Sequence, residues 1–348
     1  MSSAVQRLSH DLDTGRLAKW LAGNVAGYEG PLEVERFLGG QSNPTYKLTA
    51  VSGTYVLRRK PFGDLLPSAH AVDREFRILS ALAGSSVPVA RTFGLCTDEN
   101  VVGAAFYVME HVQGRVYWDP RLPGLSRSQR EDVFDSMNRT IAALHNLDPV
   151  ALGLGGFGRP GGFLARQISR WTKQYRSSEM EEIPAMEHLI DWLPRHIPEE
   201  DEVRIVHGDY RLDNLIVDES EFRVAAVLDW ELATLGSPLA DFAYHLSTWR
   251  IAPELFRGLR GVDFESLGIP SEQEYIARYC ERSGRSTDCN WDFYIAYSMF
   301  RTAAILQGIA RRVQDGSAAD PKAAEVGRKA RPIAEEAWAV ARRLGAHV

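Results

Sequence analysis

The chain opens on an amphipathic stretch and then changes period. From about residue 11 to 27, Leu12, Leu17, Trp20 and Leu21 recur at helical spacing, which predicts one short helix. The runs "LEVERFL", "TYKLTA" and "TYVLRRK" are short and rich in β-branched and aromatic residues. The corners between them, "GGQSNP" and "VSG", carry turn residues, so an antiparallel meander is predicted. Helical period returns in "SAHAVDREFRILSALAG". There Val72, Phe76, Leu79 and Leu82 line one face, Ser68 is placed to cap the start, and Gly84 to stop the end. "VPVARTFGLC" and "AAFYVMEHV" read as two further strands.

Beyond Gly114 the apolar spacing turns mostly helical, over about 126–147, 162–176, 183–196, 238–250, 271–283, 290–312 and 321–344. Only "VRIV", "NLIV" and "FRVAAVLD" interrupt it as strand-like pieces. The predicted organisation is an N-terminal helical segment (1–30), a β-rich lobe (31–112), a hinge at about 110–114, and a large helical lobe (115–348). This is an α+β, bilobal chain: a small antiparallel sheet crossed by one helix, followed by a mostly helical lobe. A length of 348 residues, 45% of them hydrophobic, also favours two lobes over one core.

Composition narrows the partners. The net charge of −6 argues against a nucleic-acid partner, which calls for a basic surface. The first residues lack the apolar core of a signal peptide, and no run approaches the roughly 18 apolar residues of a membrane span. Cys96, Cys280 and Cys289 have no metal-ligand spacing and are too few for a disulfide framework. A cytoplasmic protein acting on small molecules, away from membranes, is expected.

The chemistry concentrates in "RIVHGDYRLDNLIV" and the later "AVLDWE". Phosphoryl transfer requires an aligned nucleophile, cations on the phosphates, and carboxylates that hold those cations. Mg²⁺ takes oxygen ligands, usually only one or two from protein. Asp209 and Asn214 are five residues apart, the interval between base and metal-binding Asn in the kinase pattern H-R-D-x-x-x-x-N. Asp229 stands where that pattern has its second metal ligand, here in Asp229-Trp230-Glu231. Asp209 is thus the candidate base, Asn214 and Asp229 the candidate Mg²⁺ ligands, and Arg211 a cation within reach of the transferred group. Asp241, at a helix start in "PLADFAYHL", is read as a buttress for the catalytic loop rather than a ligand.

These motifs resemble the aminoglycoside phosphotransferase family of small-molecule kinases, with its protein-kinase-like fold and "HGDxxxxN" loop. More narrowly, "GGQSNPTYKL", "YVLRRKP", "LLPSAHAVDREFRIL", "WDPRLPG", "ARQISRWTKQY", "HGDYRLDNLI", "AVLDWELATLGSPLADFAY" and "FRTAAILQGI" resemble the branch that accompanies acyl-CoA dehydrogenases. The resemblance implies ATP and Mg²⁺ as cofactors. It implies that Gly39, Gly40, Gln41, Ser42 and Asn43 form the phosphate loop and that Val56 lies over the adenine. Arg58 then takes the phosphate-binding position that is usually Lys, with Lys60 on the same face, and Glu75 is its ionic partner. Met109, Glu110 and Val112 would form the adenine-binding hinge strand.

The acceptor is a small-molecule hydroxyl, and two classes compete. Aminoglycosides are polycations and call for acidic pockets; hydroxyacyl thioesters or hydroxy acids call for cations and an apolar channel. Arg166, Arg170 and Lys173 make a basic stripe at i, i+4, i+7, and Arg301 adds a cation on a later helix. Trp249 is a candidate wall of the pocket. The branch resemblance tips the reading to a hydroxyacyl-CoA or hydroxy acid, with an acyl-CoA dehydrogenase in the same pathway as the implied partner. Antibiotic phosphorylation is the alternative. A pseudokinase regulator would be expected to lack Asp209, Asn214 or Asp229, and all three are present.

Overall fold

The computed structural model describes residues 5–7, 12–37, 43–62, 71–199, 202–317 and 321–347. The first elements are β1 (Val5–Arg7), α1 (Thr14–Asn24), β2 (Glu33–Phe37), β3 (Thr45–Ala50), β4 (Gly53–Arg59), α2 (Val72–Leu82), β5 (Thr92–Cys96) and β6 (Phe106–Glu110). There follow α3 (Arg127–Asn146), α4 (Phe163–Ser178), α5 (Pro184–Trp192), β7 (Arg204–Val206), β8 (Leu215–Val217), β9 (Val224–Val227) and β10 (Thr234–Gly236). The remainder is helical: α6 (Pro238–Leu246), α7 (Pro253–Phe256), α8 (Phe264–Leu267), α9 (Glu272–Ser283), α10 (Trp291–Gln314), α11 (Ala323–Gly327) and α12 (Ala330–Arg342).

The chain divides into two compact units, and the division differs from the sequence expectation. Residues up to Tyr117 join Asp213–Ala233 in the first unit; Trp118–Leu212 and the chain from Thr234 onward form the second. The N-terminal helix is therefore part of the sheet-bearing unit, and so is the β8–β9 ribbon that the sequence placed in the helical lobe.

In the first unit six strands run in the order β1-β2-β3-β4-β6-β5, every pair antiparallel. Strand alternation sorts the side chains onto two faces. Tyr55 and Leu57 of β4 and Phe106 and Val108 of β6 share a core with Leu17 and Leu21 of α1 and with Val25 at its C-cap. The alternate residues, Val56 and Arg58 of β4 and Tyr107 and Met109 of β6, face the other way. The register pairs Arg58 with Tyr107 and Val56 with Met109. Helix α2 packs against β5 and β6, burying Val72, Glu75, Ile78, Leu79 and Leu82. Ala71 occupies its N-cap with no side-chain bond, and the expected cap, Ser68, lies outside the described residues.

The second unit is built round α10, buried along most of its length from Trp291 to Gly308 and packed on α4, α6, α11 and α12. Capping boxes open α3 (Ser126 and Gln129) and α9 (Ser271 and Glu274). Three expected helices are shorter. The stretch 183–196 ends at Trp192 and passes into a 3₁₀ turn holding Pro194; 238–250 likewise tightens after Leu246. The expected helix 321–344 is two, broken after Gly327, where a Cβ would stand 2.7 Å from Ala310 Cα. The short strand β10 pairs with β7, a partnership the isolated run "ATLG" does not announce.

The ribbon β8–β9 is tied to the rest of its unit through Arg115 and Val217, which exchange backbone hydrogen bonds of 2.8 and 2.9 Å. Gly114 makes this approach possible: its φ is +141°, and a Cβ there would lie 2.5 Å from Val217 O. Replacing Gly114 by Ala is expected to lower stability by about 2 kcal/mol or more, read from the urea unfolding midpoint.

Candidate active site

Within the first unit the cross-strand pair Arg58 and Tyr107 meets α2 at Glu75. Arg58 Nε lies 3.1 Å from Glu75 Oε2, an ion pair by distance rather than an aligned hydrogen bond. Tyr107 Oη donates to Glu75 Oε2 at 3.1 Å, and Asn43 Nδ2 donates to Oε1 at 2.7 Å. Glu75 is 1% exposed, so these three partners replace the water it gives up. Burial raises its pKa, against the pull of Arg58, Tyr107 and Asn43. Arg58 shows the other side of the pair: burial works to lower its pKa, but Glu75 and Asp229 override this and hold it above its ordinary value. The direction that stands is a permanently cationic Arg58 beside a carboxylate whose charge it compensates.

The other arm of Arg58 reaches Asp229. Its Nη2 donates to Asp229 Oδ1 at 2.6 Å, and Glu231 Oε2 lies 3.6 Å away. Asp229 adopts a left-handed backbone, φ +61° and ψ +63°, unusual for a non-glycine residue and tolerated best by Asp and Asn. The β8–β9 register explains how it comes near Asn214. Leu215 pairs with Val227, and Leu228 N–H donates to Asn214 O at 2.8 Å, so Asn214 and Asp229 sit at the same end of the ribbon.

Within the second unit the loop after β7 carries Asp209, and α6 holds it from one helical face. The carboxylate of Asp241 accepts the backbone N–H groups of His207 and Gly208, each at 2.8 Å, as the sequence reading of a buttress anticipates. Burial acts to raise the Asp241 pKa, but the hydrogen bond from His145 Nε2 at 3.1 Å and the loop N–H bonds prevail and hold it low. His145 is itself pushed down by burial, which fits a neutral imidazole beside an ionised carboxylate. Three positions further along α6, Tyr244 Oη donates to Asp209 Oδ1 at 2.7 Å. Arg211 adds Nε 3.1 Å from Oδ1 and an Nη2 bond of 3.2 Å to Oδ2.

The sequence candidates are thus placed as follows. Arg58, Glu75 and Asp229 are brought together, and so are Asp209 and Arg211. Asn43 contacts Glu75, while Gly39, Gly40, Gln41 and Ser42 lie outside the described residues. Val56 and Met109 share the Arg58 face of the sheet; the Glu110 N–H is taken by Arg91 O at 2.8 Å. Lys60 lies just past the end of β4. Arg170 is exposed beside the Trp171 ring.

Three acceptor candidates need correcting. Trp249 is 3% exposed, its indole N–H donates to Pro270 O, and it packs on Phe134, His245 and Tyr275; it is a core residue, not a pocket wall. Arg166 donates to the carbonyls of Arg159 and Gly161 at the start of its helix, which removes it from the stripe with Arg170. Arg301 is 8% exposed and donates to Gly208 O at 2.5 Å, so it braces the loop backbone. Sequence reasoning missed Tyr107, Tyr244 and His145. For Tyr244 a signal exists, its i+3 spacing from Asp241 in "PLADFAYHL".

Comparison with known proteins adds the family. The model of the phosphotransferase enzyme family (APH) matches residues 33–275. The chain belongs to this family. A relative of this phosphotransferase, acyl-CoA dehydrogenase family member 10 of Mus musculus, is 46% identical over 95% of the chain. The chain spans only 31% of that protein, and less than half of the other curated relatives it matches. A solved structure from Ralstonia eutropha, described only provisionally as an aminoglycoside phosphotransferase, is 53% identical with a TM-score of 0.88, covering 95% of this chain and 99% of that one. A thermostable aminoglycoside phosphotransferase mutant, in ternary complex with ADP and hygromycin B, shares 15% identity and a TM-score of 0.59 over 92% of this chain and 98% of its own. That last likeness shows the kinase-like fold alone.

The site also sets a pH dependence. Burial lowers the pKa of His245, bonded to Tyr275 Oη at 2.9 Å, from 6.5 to about 4. Between those values the unfolded chain holds a proton that the folded chain does not, so stability falls as the pH drops through this window, by roughly 3 kcal/mol in all. Replacing His245 by Phe is expected to flatten this part of the acid limb in urea titrations between pH 7 and 4.

Proposed function

We propose that this phosphotransferase moves the γ-phosphoryl group of ATP to the hydroxyl of a hydroxyacyl-CoA or hydroxy acid. The observation that carries the reading is the joining of Arg58 to both Glu75 and Asp229 within one unit. A phosphate-binding cation held by a helix carboxylate and meeting the acidic metal ligand is the arrangement phosphoryl transfer uses. The ADP bound by the aminoglycoside phosphotransferase described above supports a nucleotide donor.

The donor set fits Mg²⁺. Asn214 and Asp229 supply oxygen atoms from one ribbon end, and this ion needs only one or two protein ligands. Among the described residues no cluster of three or more His, Cys, Asp or Glu side chains suggests another kind of metal centre. When bound there, Mg²⁺ would supply charge neutralisation on the phosphates. Arg58 neutralises phosphate oxygens directly, and Glu75 sets its position. Asp209 accepts the proton of the acceptor hydroxyl as the O–P bond forms and the bond to the departing ADP breaks. Arg211, now on Asp209, turns to the charge that develops on the moving phosphoryl group.

The acceptor class rests on the surroundings of Asp209. Arg211 lies on its carboxylate. A cation there suits an anionic acceptor better than a polycation. The name of the Mus musculus relative, which joins a similar segment to an acyl-CoA dehydrogenase family protein, points the same way. Antibiotic phosphorylation is the second reading, favoured by the description of the Ralstonia eutropha structure.

An ATP-consumption screen over hydroxyacyl-CoAs, hydroxy acids, aminoglycosides and choline tests the acceptor. Turnover is expected with the first two classes, and turnover confined to aminoglycosides overturns the assignment. Replacing Asp209 by Asn is expected to lower kcat by about 10²- to 10⁴-fold while MgATP affinity, measured by calorimetry, stays within about twofold. Wild-type turnover in that variant would remove Asp209 from the role.

A further inference from the structure

The carboxylate of Asp209 is held from α6 and from its own loop. Oδ1 accepts the Tyr244 phenol at 2.7 Å, with Arg211 Nε 3.1 Å away, and Oδ2 accepts Arg211 Nη2 at 3.2 Å. Tyr244 is anchored in turn. The Arg301 guanidinium lies 4.6 Å from the Tyr244 ring and 5.3 Å from that of Trp171, and donates to Gly208 O. A cation placed between two aromatic faces and bonded to a loop carbonyl fixes all three partners. Burial, then the charge of Asp209, raises the Tyr244 pKa, so the phenol keeps its proton and remains a donor.

We propose that Tyr244 is the positioning residue for the Asp209 base. Its phenol fixes one oxygen of the carboxylate that takes the proton of the acceptor, and the Trp171–Arg301 stack holds the phenol in place. The inference rests on the phosphotransfer reading above and deepens it. In the step itself the acceptor O–H proton passes to the Asp209 carboxylate, the acceptor oxygen bonds to phosphorus, and the electron pair of the breaking P–O bond leaves with ADP. Arg211 must swing off the carboxylate before the hydroxyl can reach it, whereas the Tyr244 bond stays. A carboxylate pinned on one oxygen loses less freedom when it meets the hydroxyl, which is a gain in orientation rather than in binding.

The test uses Tyr244→Phe, which keeps the ring and the stack but removes the donor. The probes are MgATP with 3-hydroxybutyryl-CoA, and MgATP with water as acceptor. A fall in kcat of about ten- to a hundredfold is expected, with MgATP affinity within about twofold of wild type. The KM for 3-hydroxybutyryl-CoA should stay within about twofold of wild type, because the phenol orients the base and does not bind the acceptor. Wild-type kcat overturns the proposal, as does a loss seen only as weaker binding of MgATP or of the acyl-CoA. In both cases an inactive Asp209→Asn protein leaves the phosphotransfer reading standing; an active one sinks that reading instead. Should Tyr244→Phe not fold, Arg301→Lys keeps a cation but loses the planar stack. It is expected to lower kcat with the same unchanged MgATP affinity, and wild-type kcat there overturns the bracket.

Discussion

The carboxylate of Asp241 sets the backbone on which the Asp209 loop depends. It is buried and ionised, and its two oxygens are spent on consecutive N–H groups of the chain just before Asp209. Charge-assisted bonds of this kind are stronger than neutral ones, and leaving such a charge unpaired in the interior costs several kcal/mol. The loop therefore has little freedom to relax. Gly208 meets the constraint with a φ of +81°, which a side chain would resist. From this fixed backbone the Asp209 side chain projects, and the same helix then supplies Tyr244 to orient it.

The first unit solves a related problem with the signs reversed. There a buried cation, Arg58, is the hub, and Glu75, Asp229 and Glu231 surround it. The sheet makes this possible by strand alternation: the residues on either side of Arg58 in β4, Leu57 and Arg59, are buried on the opposite face, and Arg58 itself faces α2. Its cross-strand neighbour Tyr107 completes the Glu75 shell.

Much of this was legible in the sequence where local rules decide. Short runs of β-branched and aromatic residues located β2 to β6, and period-two alternation put Val56 and Arg58 on one face. What stayed hidden depends on long-range placement. Tyr107 looks like an ordinary strand aromatic until its register opposite Arg58 is known. Trp249 reads as a pocket aromatic because burial among Phe134, His245 and Tyr275 comes from three separate elements. Arg301 reads as a spare cation because its partner, the Gly208 carbonyl, is 93 residues away and has no side chain. Membership of Asp213–Ala233 in the first unit has no local signature at all.

That discontinuity has a consequence during synthesis. Domains fold as their chain emerges, at about 5–20 residues per second. Arg58 leaves the ribosome early and can find Glu75 within a short stretch, but Asp229 follows 171 residues later. At those speeds the delay is roughly ten to thirty seconds. For that interval the nascent sheet carries a basic residue with one of its three eventual acidic neighbours. The N-terminal portion matures only after much of the helical portion has been made, and no stop codon placed between the two would yield a finished first half.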